Sequence, residues 1–213
     1  MRPARERIIE IIRILRKAYP KSSTVLYYKT PLQILIATIL SAQCTDKRVN
    51  KITPGLFKKY KNVYDFSNVR PSTLEQEIRP TGFYKNKARN IIASAKKIVR
   101  DFNGNVPATM QELVSLPGVA RKTANIVLSS GFRKVEGIAV DTHVKRVSGR
   151  LGLTKETNPE KIEEDLMRIV PKKAWLDFNY ILVDHGREIC NARRPLCKKC
   201  AISELCPSRA VLT

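Results

Sequence analysis

The chain has 213 residues, 43% of them hydrophobic, which is enough to bury a core and to form one domain or two small ones. Its 40 Lys and Arg against 19 Asp and Glu leave a formal net charge of +21, which points to a polyanionic partner but does not by itself separate nucleic acid from an anionic membrane. The longest apolar stretch, Ile34 to Leu40, is too short to span a bilayer, and MRPARERIIE carries Arg and Glu where a signal peptide would carry its apolar core.

The expectation is therefore a cytoplasmic, nucleoid-associated protein with no membrane partner. In that reducing setting five cysteines point to metal ligation or catalysis before disulfides.

Helical periodicity runs along the chain. Ile8, Ile11, Ile12 and Leu15 form an apolar stripe in a first helix that Pro20 ends. Pro31 opens a second through Leu32, Leu35, Ile36, Ile39 and Leu40. A third covers Asp46 to Tyr60, with a bend or break expected at Pro54-Gly55. Ala88, Ile91, Ile92, Ala95, Ile98 and Val99 mark a long amphipathic helix closed by the turn Asn103-Gly104-Asn105. Short helices are predicted over Thr109 to Leu116 and Ala120 to Ser130, and longer ones over Thr142 to Leu151, Pro159 to Ile169 and Trp175 to Ile189. No strand set and no fixed-period repeat is present. The fold class is all-α.

Leu116 to Ala124 reads LPGVARKTA. Pro117-Gly118 makes a tight turn between two short helices, and the second helix starts directly after it. Backbone N–H groups around Gly118, Val119 and Ala120, with the positive end of the helix dipole, suit a DNA phosphate. This is a helix-hairpin-helix arrangement. Lys122 sits beside that phosphate site, and Asp141 follows downstream as N-cap of the next helix. An amine nucleophile with a partner carboxylate is the chemistry this pair suggests. His143 and His185, the two histidines, are read as packing or hydrogen-bonding residues.

From Cys190 onward apolar periodicity stops. Cys190, Cys197, Cys200 and Cys206 follow a C-x6-C-x2-C-x5-C pattern, close enough for four thiolates to converge on one soft centre. Spacing leaves zinc and a [4Fe–4S] cluster both open. Cys44 stands apart and reads as a small core residue.

Taken together, LPGVARKTAN, AVDTHVKRV, HGREIC and the cysteine tail, with LSAQCTD and TGFYKNKARN, resemble the endonuclease III family over nearly the whole chain. The resemblance implies a two-lobed helix-hairpin-helix glycosylase fold. A six-helix bundle would span residues 22–135, and residues 1–21 with 136–213 would form a discontinuous iron–sulfur domain, DNA lying between the lobes. It implies a [4Fe–4S] cluster on Cys190, Cys197, Cys200 and Cys206. It implies a bifunctional DNA glycosylase/AP lyase of base excision repair, acting as a monomer on double-stranded DNA that contains damaged bases or abasic sites. Oxidised or ring-saturated pyrimidines would be removed.

Lys122 would attack the sugar C1′ of a flipped nucleotide. Asp141 would stabilise positive charge on the sugar or help deprotonate the lysine. The Schiff base would permit β-elimination and a nick 3′ to the lesion. Gln43 would enter the duplex where the base has left, and Phe83 stands where the family commonly places a leucine wedge. Ala120 replaces the second glycine of the commoner hairpin. Sister branches that only release a base carry serine or tyrosine in place of the lysine, so Lys122 argues against them, and against a purely DNA-binding protein.

Overall fold

A computed structural model describes residues 3–212. Helices, joined by short turns, are its regular elements, and no strand occurs among the described residues. The chain divides into two compact units, Val25–Glu136 and the combination of the chain up to Thr24 with the chain from Gly137 onward.

The Val25–Glu136 unit is built around α2 (Pro31–Ser41). Thr30 caps it, its side chain accepting from the Gln33 N–H, and Pro31 supplies a first helical residue whose missing N–H costs nothing. Ile34, Leu35, Ile36, Ala37, Ile39 and Leu40 are all buried, so the helix is apolar all round and is wrapped by others. Packed on it are α3 (Asp46–Lys59), α6 (Tyr84–Asp101) and α8 (Arg121–Ile126).

The break expected at Pro54 is absent: α3 continues through the proline. Val49, Thr53 and Leu56 bury one continuous face, and that packing overrides the lost ladder donor. Beside the proline, the buried Thr53 hydroxyl lacks a hydrogen-bond partner among the described residues.

Two further helices, α4 (Val63–Asn68) and α5 (Pro71–Ile78), pack on α6 and were not legible from periodicity. They are too short to show one. Local signals did exist: Asn62 and Asp65 form a reciprocal capping box, and Pro71 opens α5. After α7 (Met110–Val114) comes the hairpin turn and α8, whose last turn widens into a π-helical segment over Val127–Gly131.

The other unit holds α1 (Ala4–Ala18), α9 (Thr142–Arg150), α10 (Pro159–Ile169) and α11 (Trp175–Glu188). The α1 stripe Ile8, Ile11, Ile12 and Leu15 shares its core with Val144, Val147, Leu166, Phe178 and Leu182. Buried Arg7 donates to the carbonyls of Leu151 and Leu205, tying α1 to the cysteine-rich segment. That segment makes two 3-10 turns, Cys197–Lys199 and Ser203–Leu205.

Candidate functional site

In the Val25–Glu136 unit three loops carry the residues singled out above. The first follows α2, where Gln43 is exposed with φ of 51°. The second precedes α6, where Phe83 has φ of 48° and is 63% exposed. Left-handed backbone is uncommon for residues with a side chain of this size. That exposure makes Phe83 a loop-tip residue and not a core aromatic.

The third is the hairpin. Gly118 supplies φ of 77°, and a β-carbon there would stand 2.6 Å from the Asn90 side-chain nitrogen. Only glycine meets both demands. Ser94, also on α6, donates to the Pro117 carbonyl at 2.7 Å. One helix thus braces the hairpin with two side chains while its own N-terminus begins at Phe83.

Val119 differs from a simple phosphate donor. Its N–H is already given to the Leu116 carbonyl at 3.1 Å and its side chain is buried, so it anchors the turn. Ala120 is the exposed N-cap of α8 at φ −89°, ψ 169°, extended backbone that alanine adopts without strain. Lys122, the second residue of α8, is exposed.

Asp141 belongs to the other unit. It caps α9, one carboxylate oxygen accepting from the N–H groups of His143 and Val144, both at 2.8 Å. Two bonds from one side chain fix its direction. His143 sits close by, its Nδ1 3.1 Å from an Arg146 guanidinium nitrogen, and burial pushes its imidazole below the ordinary histidine range.

The thiols of Cys190, Cys197, Cys200 and Cys206 line one apolar pocket with Val147, Leu151 and Ile202. Burial pushes the Cys200 and Cys206 thiols up, and their cysteine neighbours push them further. Four thiolates here therefore need a positive centre. Among the described residues no group of three or more His, Cys, Asp or Glu stands close enough to hold a metal ion. Soft donors around an apolar space suit an iron–sulfur cluster.

Sequence reasoning missed the groups behind these sulfurs. Arg150 places a guanidinium nitrogen 3.3 Å from Cys190 Sγ and donates to the carbonyls of Asn191 and Ala192. His185 Nε2 lies 3.6 Å from Cys200 Sγ. Burial alone pushes that imidazole down to about 4, so it faces the sulfur neutral.

Residues 36–172 match the model of the HhH-GPD superfamily of base excision DNA repair proteins. The endonuclease III of Synechocystis sp. is 51% identical over 208 residues, covering 98% of this chain and 95% of that one. This chain belongs to the endonuclease III family. The endonuclease III of Bacillus subtilis is 44% identical over 189 residues, with 88% and 86% covered.

Among solved structures, a trapped endonuclease III–DNA covalent intermediate superposes with a TM-score of 0.93 at 41% identity, covering 99% of both chains. A thermostable thymine-DNA glycosylase gives 0.87 at 26% identity, covering 98% of this chain and 97% of that one. As a member of this family, the protein is a base-excision DNA glycosylase with AP lyase activity, and members of the family generally hold a [4Fe–4S] cluster. No helix among the described residues is long and apolar enough to cross a membrane.

Proposed function

We propose that Lys122 is the nucleophile of this glycosylase/lyase and that Asp141 assists it. The observation that carries the reading is the exposed Lys122 amine on the hairpin's second helix, in a chain similar throughout to an endonuclease III trapped covalently on DNA.

The amine attacks C1′ of an extruded nucleotide and the damaged base departs with the bond electrons. The attached nitrogen loses a proton, its lone pair breaks the C1′–O4′ bond as O4′ takes up a proton, and the opened sugar is held as a Schiff base. Loss of a C2′ proton then expels the 3′ phosphate by β-elimination, and hydrolysis frees the lysine. Asp141, held by its two backbone donors, offers its unbonded oxygen to positive charge developing on the sugar or to the lysine's proton.

Gln43 and Phe83 fill the space the extruded nucleotide leaves in the duplex. The N–H groups about Gly118 and Ala120 take a phosphate. Substrates are duplexes bearing oxidised or ring-saturated pyrimidines or abasic sites, handled by a monomer at the nucleoid. Cys190, Cys197, Cys200 and Cys206 would hold the [4Fe–4S] cluster. Bound there, it would supply a structural clamp that presents exposed Arg193, Arg194, Lys198 and Lys199 to phosphates.

The test is borohydride trapping on a duplex with a single thymine glycol, run beside Lys122→Ala. Covalent capture by the wild type and none by the variant is the expected result. Base release without capture would leave Lys122 no role as nucleophile.

A further inference from the structure

Lys87 is a charged residue that the reaction above does not use. It is 5% exposed, a rare state for lysine, and no carboxylate meets it. Its ammonium instead donates to two backbone carbonyls, Leu40 and Thr81, each at 2.8 Å. Both acceptors lie at the end of a helical segment. Leu40 is in the last turn of α2, and Thr81 closes the 3-10 turn Arg79–Thr81. C-terminal carbonyls carry the negative end of the helix dipole and have no partner further along the helix. One buried cation therefore caps two helix ends at once.

The two chains leaving those ends are the loops of Gln43 and Phe83. Both residues are left-handed in φ, and neither is held there by a glycine's freedom. The Lys87 backbone N–H also donates to the Phe83 carbonyl at 3.0 Å. A weaker strap runs alongside, from the Arg48 guanidinium to the Pro80 carbonyl at 3.5 Å. Burial pushes the ammonium below the ordinary lysine range, and nearby Cys44 pushes it partly back. An apolar residue in its place would pack without the cost of desolvating an ammonium.

We infer that Lys87 is a positioning residue for nucleotide extrusion: by bonding Leu40 and Thr81 it locks the Gln43 and Phe83 loops into one rigid wedge. This rests on the reading of those two residues as the ones that enter the duplex. A preorganised wedge enters without first losing loop entropy, so the cost of ordering is met by folding and not by binding. Only substrates whose nucleotide must be pushed out of a stack draw on it.

The experiment compares two substrates. Lys87→Met is assayed on a duplex with one thymine glycol and, by borohydride trapping, on single-stranded DNA with one abasic site. We expect a tenfold or greater fall in kcat/KM on the duplex and trapping on the single strand within twofold of wild type. The same substitution in a Gln43→Ala/Phe83→Ala background should then change duplex cleavage less than twofold, because the wedge it supports is gone. Should Lys87→Met not fold, Lys87→Gln serves, keeping an amide donor without a buried charge. Equal losses on both substrates, or no loss on either, would overturn the inference. Wild-type protein that captures neither substrate would overturn the underlying reading as well.

Discussion

The Ser94 hydroxyl donates to the Pro117 carbonyl at 2.7 Å, joining the middle of α6 to the turn of the hairpin. Ser94 is 2% exposed, while Pro117 is half-buried. Ser94→Ala should lower unfolding stability by about 0.5–1.5 kcal/mol, the net worth of a typical intramolecular hydrogen bond. Denaturant titration would read it as a lower midpoint at unchanged slope. Duplex affinity should fall with it, since the hairpin turn loses its internal brace.

Gly118 makes a sharper case. Alanine there meets a left-handed backbone, worth about 1–2 kcal/mol, and the Asn90 side chain at 2.6 to 2.8 Å. Gly118→Ala should therefore destabilise more than Ser94→Ala and weaken DNA binding. Adding Asn90→Ala removes the amide part of the collision but leaves the Asn90 Cβ at 2.8 Å and the backbone strain. The double variant should recover part of the loss in thermal denaturation, and full recovery would show the φ requirement to be negligible. By contrast Ala120→Gly should leave affinity within about twofold and stability within a few tenths of a kcal/mol, because that N-cap is unstrained.

Asp141 is a helix cap in the structure and a catalytic group in the proposal, and substitution can separate the two. Asparagine keeps an oxygen for the N–H groups of His143 and Val144 but not the charge. Asp141→Asn should fold with stability within about 0.5 kcal/mol of wild type, asparagine capping as well as aspartate. Its single-turnover base release should slow by about a hundredfold or more. Asp141→Ala should show the same kinetic loss and a further cost of about 1 kcal/mol from the missing cap. An asparagine variant with wild-type rate would reduce Asp141 to a cap.

Helix starts were legible where a proline or capping side chain marks them: Thr30-Pro31, Thr109 and Asn158-Pro159 head helices in the structure as the sequence suggests. Pro54 misled, because one missing donor is a local signal and the buried α3 face is not. The residues proposed to react, Lys122 and Asp141, were picked out by motif order. Their supports were not. Lys87 is one of 40 basic residues, with nothing beside it in sequence to say that its partners are carbonyls at positions 40 and 81. Arg150 and His185 reach sulfur atoms 40 and 15 positions away. Such contacts have no period, so only the folded chain displays them.

His143 gives a pH signature. Burial lowers its folded pKa, so the unfolded chain takes up a proton near pH 6.5 that the folded chain refuses until lower pH. Stability from the neutral ring is complete above that value and declines as pH falls through it. Thermal midpoints of wild type and His143→Gln should therefore converge on acidification from pH 7.5 to 5. Parallel curves would mean the imidazole does not titrate differently on folding.

The cysteine segment should depend on its metal centre for order. Beyond Cys190 its buried apolar anchors are Ile202 and Leu205, far too little to hold so basic a stretch against its own entropy. Arg150 holds the carbonyls at 191 and 192 but nothing comparable reaches Lys198 or Lys199. Ile202 and Leu205 share one core with α1, α9, α10 and α11, and those helices keep most of it when the segment loosens. Oxidative removal of the cluster, or Cys206→Ser, should bleach the brown colour of an iron–sulfur protein and open the chain to trypsin after Arg193, Arg194, Lys198 or Lys199. Far-UV circular dichroism should barely change, because most of the core that holds the helices lies outside the cysteine segment. Duplex affinity should drop and its salt dependence flatten, since fewer cations are presented to phosphates. A colourless protein that resists trypsin until zinc is chelated would reassign the four thiols to zinc.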